Sequence, residues 1–117
     1  MSEALASKNC RPCKGIPPMT AKEAGQYLVS SPGWRILDDK IEKEFMFKTY
    51  LGGLDFANKI GNIAEEQDHH PDILIAWRRV KLTLTTHSIK GLSINDFIMA
   101  AKADWEHASH ANAPAVK

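Results

Sequence analysis

Three histidines and several carboxylates fall within one short stretch of this chain, residues 65–96. His69 and His70 are adjacent, His87 follows a strand-like run, and Asp96 lies just inside a predicted helix start. Histidine is the only side chain whose unperturbed pKa lies near neutrality, so several imidazoles held together suit either proton transfer or metal binding. The elements that carry these residues determine whether they meet.

The composition is typical of one soluble globular domain and excludes several classes of function. The chain has 117 residues, of which 44% are hydrophobic and 25% charged, and the formal net charge is +1. This balance gives no electrostatic case for direct binding of nucleic acid or of a membrane surface. No apolar run reaches the roughly 20 residues that span a bilayer, and the N-terminus lacks the apolar core of a signal peptide. We therefore expect a cytoplasmic protein.

Hydrophobic periodicity and boundary residues predict the order helix, two strands, helix, two strands, helix. Residues 1–19 are polar and rich in proline, and we expect a flexible N-terminal arm there, followed by one domain over residues 20–110 and a tail that frays from Asn112. Thr20 and Glu23 form a capping box, Gly52-Gly53 is expected to break a strand, and Ser93 caps the last helix. The predicted helices cover about residues 20–30, 54–69 and 93–109, and the predicted strands cover 34–37, 41–50, 73–77 and 80–86.

Adjacent strands joined by short turns form an antiparallel sheet, and three helices with apolar stripes can cover one of its faces. The sequence therefore predicts an α+β fold, a two-layer sandwich of a four-stranded antiparallel sheet and three helices on one face, in the order αββαββα. A sheet with open edge strands has to protect them, which favours a homo-oligomer.

The predicted topology returns the histidines to one edge of this sheet. The second helix must end near His70, because Pro71 disfavours a helical conformation at the residue before it. If Arg78-Arg79 forms a two-residue turn, the cross-strand partner of His70 is His87; one long bent strand is the alternative. Glu65 lies one helical turn before the histidine pair. With Asp96 in the first turn of the last helix, these residues are predicted to border one site.

Each of these residues also has a structural explanation. Asp96 stands three positions after Ser93 and could simply favour the positive end of a helix. Histidines near a helix C-terminus complement its dipole. Three imidazoles could bind zinc, but the adjacent pair His69-His70 points in different directions, so we predict no metal. His107 and His110 are expected at the surface.

The two cysteines form the motif Cys10-Arg11-Pro12-Cys13 in the predicted arm. A CxxC motif can be half of a zinc site, a redox pair, or two thiols without a role in chemistry. No second cysteine pair completes a zinc site, and a redox motif belongs at a strand-to-helix junction. Reduced thiols in a loosely ordered arm are the favoured interpretation, and pairing with histidines of the same or another subunit is the alternative.

The spacing of the histidine segment resembles the signature of the pterin-4a-carbinolamine dehydratases, also described as dimerisation cofactors of a homeodomain transcription factor. The resemblance extends from about Thr20 to Trp105. The residues that match the signature are Glu65, His69-His70-Pro71, Trp77, His87 and Asp96.

This resemblance implies an αββαββα fold and dehydration of 4a-hydroxytetrahydrobiopterin to the quinonoid dihydropterin, without a cofactor, which recycles the pterin of aromatic amino acid hydroxylases. By this resemblance, His69 and His87 would carry out the acid–base chemistry, and His70 would mainly hold the pterin. Glu65 and Asp96 would orient imidazoles or bond ring nitrogens. The implied catalytic residues are His69, His70 and His87, and the implied substrate-binding residues are Glu65, Asp96, Trp77 and Trp34.

The same resemblance implies homodimers or homotetramers and leaves a second class of function open. The alternative is a protein-binding module that acts as a transcriptional dimerisation cofactor. Handling of a pterin cofactor in another pathway is a third hypothesis. The presence of every matched position favours the enzyme.

Overall fold

The computed structural model describes residues 5–110, so the first four residues of the predicted arm and the tail predicted to fray from Asn112 lie outside the described residues. Within that range, residues 20–110 form three α-helices and four β-strands in the predicted order αββαββα. In chain order these are α1 (Ala21–Val29), β1 (Arg35–Leu37), β2 (Lys40–Met46), α2 (Tyr50–Gln67), β3 (Asp72–Ala76), β4 (Arg79–Leu84) and α3 (Ile94–Ala108). A 3-10 helix, His87–Ile89, lies between β4 and α3.

The sheet is antiparallel in the order β1-β2-β4-β3, which confirms the predicted α+β fold. Side chains alternate along the two central strands, as the two-residue period of a strand requires. The buried apolar side chains of these strands are Ile41, Phe45, Val80, Leu82 and Leu84, and Glu42 is buried as well. The helices cover this face: Tyr27 of α1 stacks on Phe97 of α3, and Phe56 of α2 packs on Phe45. The opposite face carries charged residues such as Glu44 and Lys81.

The helix starts predicted from the Thr20–Glu23 capping box and from the Ser93 cap are confirmed. Thr20 and Glu23 cap α1 reciprocally, and Ser93 and Asp96 do the same for α3. The start predicted for α2 is wrong, because the helix begins at Tyr50 and includes the two glycines expected to break the chain. A Cβ at Gly53 would lie 3.4 Å from the Val80 Cγ2, an ordinary van der Waals distance, so this first turn packs directly against the sheet.

The end of α2 and the following hairpin also differ from the prediction. Asp68 adopts a left-handed conformation, φ 52°, which ends the helix at Gln67 and releases the histidine pair as non-helical chain. The β3–β4 turn is Trp77-Arg78, with Ala76 paired to Arg79. The predicted pairing of His70 with His87 is therefore wrong by two residues.

A contact with the neighbouring strand explains the position of this turn. The backbone N–H of Phe47, just beyond β2, donates to the carbonyl of Arg78 at 2.9 Å, and the Arg78 Nε donates to the carbonyl of Phe47 at 3.3 Å. Arg78, the second residue of the turn, is held at φ 60°, in the left-handed region that only some turn types use. A long-range contact thus selects a turn that the local sequence does not favour.

The described part of the arm lies against the domain. Leu5 and Cys13 are buried, and Lys102 of α3 donates to the carbonyl of Ala6 at 2.7 Å. These contacts give the arm a defined place along α3. The boundary at residue 20 and the flexibility of the arm stay predictions.

The C-terminal histidines depart from their expected surface position. His110 is buried and bonds to Asp55 of α2 at 2.9 Å, so the expectation is wrong for this residue. His107 is partly buried, and its Nε2 lies 3.0 Å from the carbonyl oxygen of Met46. In the described part of the chain, no helix combines the length and apolarity needed to cross a membrane.

Candidate active site

The shortest contact between two distant segments of the site joins His69 to Asp96. The Nε2 of His69 lies 2.6 Å from the Asp96 Oδ1, and the two side chains are 10% and 0% exposed. The end of α2 supplies the imidazole, and the first turn of α3 supplies the carboxylate. This contact brings together two of the predicted site residues from positions 27 residues apart.

Asp96 is held by more than the histidine. Its Oδ2 accepts from the Thr86 hydroxyl at 2.8 Å and from the Ser93 backbone N–H at 3.0 Å. The second bond is the capping-box interaction, so Asp96 is both a helix cap and a partner of the imidazole. The structural and functional interpretations of this residue are therefore compatible.

The direction of these hydrogen bonds fixes the tautomer of the imidazole. A carboxylate only accepts, so the hydrogen between the two side chains belongs to the His69 Nε2. Neutral His69 then carries its free lone pair on Nδ1, the nitrogen on the opposite side of the ring from Asp96. The arrangement offers a proton acceptor whose orientation is set by a fully buried anion.

His70 repeats this pairing at the surface. Its Nε2 lies 2.6 Å from the Glu65 Oε2, and the side chains are 52% and 78% exposed. Glu65 lies in the last turn of α2, as predicted. The two adjacent imidazoles therefore each have a carboxylate partner, one buried and one in solvent.

His87 returns to the same region by a different path from the predicted one. It is the first residue of the 3-10 helix and directly follows Thr86, whose hydroxyl bonds to Asp96. Its side chain is exposed, and among residues 5–110 no hydrogen bond joins it to the other two histidines. The described residues also contain no cluster of three or more metal-binding side chains.

The two predicted tryptophans lie elsewhere in the chain. Trp34 is buried, packs on Phe45 and donates its indole N–H to Asp104 at 3.1 Å. Trp77 forms the β3–β4 turn and is 72% exposed. The five residues of β3 separate that turn from the His70 end by about 16 Å. The structure does not bring either ring to the histidines within one chain.

Sequence reasoning missed Thr86 and Ser93 as supports of the carboxylate. Their hydroxyl oxygens lie 2.7 Å apart, and both residues are buried. Ser93 was identified only as a helix cap. The position of Thr86 directly before His87 was the available signal, but a threonine at the end of a strand is ordinary.

In this α+β domain, two imidazoles lie at the edge of the sheet and each is oriented by a carboxylate. Such an arrangement can carry out acid–base chemistry. Residues 17–105 match the model of the family described as pterin 4 alpha carbinolamine dehydratase. Because this match covers most of the chain, the protein belongs to that family.

Several relatives support the same assignment. A protein of Rubrobacter xylanophilus, named "Putative pterin-4-alpha-carbinolamine dehydratase", is 45% identical over 89% of this chain and 98% of its own. One of the same name from Methylococcus capsulatus is 47% identical over 86% and 91%. The crystal structure of a transcriptional coactivator/pterin dehydratase from Brucella melitensis is 33% identical, covers 76% of this chain and 97% of its own, and superposes with a TM-score of 0.73.

Proposed function

We propose that this protein is a 4a-hydroxytetrahydropterin dehydratase, a hydro-lyase that converts 4a-hydroxytetrahydrobiopterin to the quinonoid dihydropterin. Family membership and the names of the relatives support the reaction class. The observation that carries the chemistry is the 2.6 Å contact between His69 and the fully buried Asp96.

The reaction needs one acid and one base. The C–O bond at C4a breaks when the hydroxyl takes up a proton and leaves as water, and a ring N–H loses its proton so that its electron pair completes the new C=N bond. Groups with pKa values near the operating pH suit both transfers and typically contribute about 10²- to 10⁴-fold. In our proposal, His69 and His87 carry out these two proton transfers.

The remaining residues orient and bind. His70, held by Glu65, contacts the pterin, and Asp96 keeps the His69 ring in one tautomer. Trp34 and Trp77 receive no role within the protomer, because they lie away from the histidines. The proposal requires no cofactor, and it assigns recycling of the pterin of aromatic amino acid hydroxylases as the purpose of the reaction.

The test is the dehydration rate of freshly generated 4a-hydroxytetrahydropterin, followed by ultraviolet absorbance. We expect acceleration over the spontaneous rate that persists with a chelator, and a large loss in His69→Ala and His87→Ala. His107→Gln is the matched control, since this histidine contacts Met46 and lies outside the site. A folded protein without acceleration would contradict the proposal, and full activity in both alanine variants would contradict the assigned roles.

A second candidate function is a protein-binding module that acts as a transcriptional dimerisation cofactor. An open groove between α2 and the edge strand β3 supports it, with Leu54, Ala57, Ile73 and Ile75 among its lining residues. Next to it, Leu51 and Trp77 are more than 70% exposed. The similar Brucella protein is described as a transcriptional coactivator as well as a pterin dehydratase. We also propose that the protein forms a homodimer or homotetramer, and light scattering tests this: an active dehydratase that is strictly monomeric would contradict it.

A further inference from the structure

The arm follows the segment that joins His87 to Asp96. The N–H of Met19 donates to the carbonyl of Leu92 at 2.8 Å. A Cβ at Gly91 would lie 2.6 Å from the Cβ of Pro18, so only glycine permits this approach. The arm is thus fitted to the polypeptide that positions two predicted site residues.

Asn95, the neighbour of Asp96, directs its whole side chain to the arm. Its Oδ1 accepts from the Arg11 N–H at 3.1 Å, and its Nδ2 donates to the Arg11 carbonyl at 2.5 Å and to the Cys13 sulfur at 3.1 Å. The residue is 4% exposed. The carboxamide therefore pairs with the arm backbone as a neighbouring strand would.

The other end of the arm contacts the chain that carries His69. The Cys10 N–H donates to the Gln67 Oε1 at 2.7 Å, and the Gln67 Nε2 donates to the Asn9 Oδ1 at 3.0 Å. Gln67 is the last residue of α2, two positions before the histidine. Residues 9–13 therefore connect the end of α2 to the start of α3, the two segments whose side chains meet in the His69–Asp96 pair.

The hydroxyl groups beneath this pair form a directed chain. Because the carboxylate only accepts, the Thr86 hydroxyl donates to it, and the Ser93 hydroxyl must then donate to Thr86 at 2.7 Å. The Ser93 oxygen is left as an acceptor, and it lies 3.3 Å from the Cys13 thiol and 3.2 Å from the Asn95 backbone N–H. The thiol also lies 3.4 Å from the Arg11 carbonyl, so its hydrogen serves both acceptors.

The geometry points to a positioning role for residues 9–13: through Asn95 and Cys13 the arm fixes the Ser93–Thr86–Asp96 chain and thereby the orientation of His69. Cys13 acts as a hydrogen-bond donor in this arrangement, and its reduced thiol undergoes no reaction. The effect on dehydration rests on the function proposed above, whereas the effect on the His69–Asp96 contact does not.

Three variants test the role. Asn95→Ala removes both bonds to the Arg11 backbone, and Cys13→Ala removes the donor to Ser93. Cys13→Ser keeps a small donor and acceptor at the same place, so it should restore what alanine loses. Should Asn95→Ala fail to fold, the alanine and serine variants of Cys13 still decide the question.

Two readouts separate positioning from simple loss of stability. The first is kcat against KM: misplacement of a catalytic group by a fraction of an ångström should lower kcat by about tenfold or more and leave KM nearly unchanged. The second needs no substrate. In protein with isotope-labelled histidine, the proton on the His69 Nε2 should give an exchange-protected NMR signal, identified by its loss in His69→Gln, and this signal should weaken in the alanine variants.

Two control variants separate the proposed positioning from the loss of any contact with the arm and from a general loss of stability. Lys102→Met removes a bond from α3 to the arm at Ala6, away from the Ser93 chain. Lys43→Met removes an ion pair to Asp104 further along α3 and destabilises the fold without touching the arm. Both should retain the wild-type kcat and the His69 signal.

The outcomes are distinct for the two proposals. Loss of the signal and of kcat in the alanine variants, with recovery in Cys13→Ser, supports positioning by the arm. Wild-type behaviour of all variants in both readouts overturns it, even if the protein is an active dehydratase. If the wild type lacks activity but the alanine variants lose the signal, the proposed function fails and the positioning role stands.

Discussion

Helix α3 carries two aspartates in two different surroundings, one fully buried and one partly buried. Asp96 in its first turn is fully buried and bonds to an imidazole, a hydroxyl and a backbone N–H. Asp104 lies eight residues further on, about 12 Å along the helix axis. It bonds to Lys43 at 2.7 Å and to the indole N–H of Trp34 at 3.1 Å, and its side chain is 15% exposed.

The comparison shows that burial of a carboxylate does not by itself indicate chemistry. Both side chains satisfy their oxygens, as buried charges must. Burial raises the pKa of Asp104, and the ammonium of Lys43 opposes that rise. The partners differ in what they can do: lysine and indole keep their protons near neutral pH, whereas an imidazole can release and accept one. Asp104 fastens β2 to α3, and Asp96 orients a group that can react.

Replacing each aspartate by asparagine should give the largest contrast. An amide at position 96 has one accepting and one donating end, so it conflicts either with His69 Nε2–H or with the donors Thr86 and Ser93. We expect kcat to fall by about 10²- to 10⁴-fold, the usual contribution of general acid–base catalysis. Asp104→Asn can still accept from Lys43 and should keep the wild-type rate. Comparable losses in the two variants would remove the functional distinction between the two sites.

A chemical probe can test whether the arm closes over the Asp96 end of the helix. Burial raises the pKa of the Cys10 thiol from 9.0 to about 11, Lys102 opposes the rise, and the charge of Asp96 adds to it. At about pH 8 this change lowers the thiolate fraction roughly 100-fold. In Cys13→Ser, alkylation of Cys10 by iodoacetamide should accelerate by about that factor on unfolding. Equal rates in the folded and unfolded protein would mean that the arm leaves the thiol open.

The features of the fold that depend on residues close together in the chain could be predicted from the sequence. The capping box at Thr20 and the helix cap at Ser93 depend on hydrogen bonds between residues close in sequence, and both are present. The second helix was predicted to end near His70, because Pro71 disfavours a helical conformation at the residue before it, and the helix ends at Gln67. The fold class followed from periodicity, which the burial pattern of β4 reproduces.

The features that could not be predicted from the sequence depend on contacts between residues far apart in the chain. A glycine usually weakens a helix, but the turn that contains Gly53 is helical and packs directly against the sheet. The turn at Arg78 is selected by Phe47 of another strand segment. Asn95 has no distinctive local pattern, so its pairing with Arg11 became visible only once the chain was folded.

Removal of Lys43, the partner of Asp104, should destabilise the folded protein. Lys43→Met leaves a carboxylate without its cation, and we expect the free energy of unfolding to fall by about 2 kcal/mol, less than for a fully buried pair because both side chains keep some exposure. An acid whose folded pKa is raised contributes stability that is present below its unfolded value and is lost as the pH rises through the folded value. The penalty should therefore grow from acid to neutral pH in urea titrations. A penalty that does not vary with pH would assign the loss to packing.

A third carboxylate, Asp55 of α2, should give the smallest effect and define the lower limit of the comparison. The hydrogen bond from His110 at 2.9 Å lowers the pKa of Asp55 below its ordinary value of 3.8. A lowered pKa gives stability that is present above the unfolded value and is lost as the pH falls through the folded one. Because Asp55 is exposed, solvent screens the interaction, and Asp55→Asn should change neutral-pH stability only slightly. The variant should lose less stability than the wild type on acidification below about pH 4, measured by thermal unfolding. An identical acid dependence in both proteins would show that this bond, unlike those of Asp96 and Asp104, has no energetic weight.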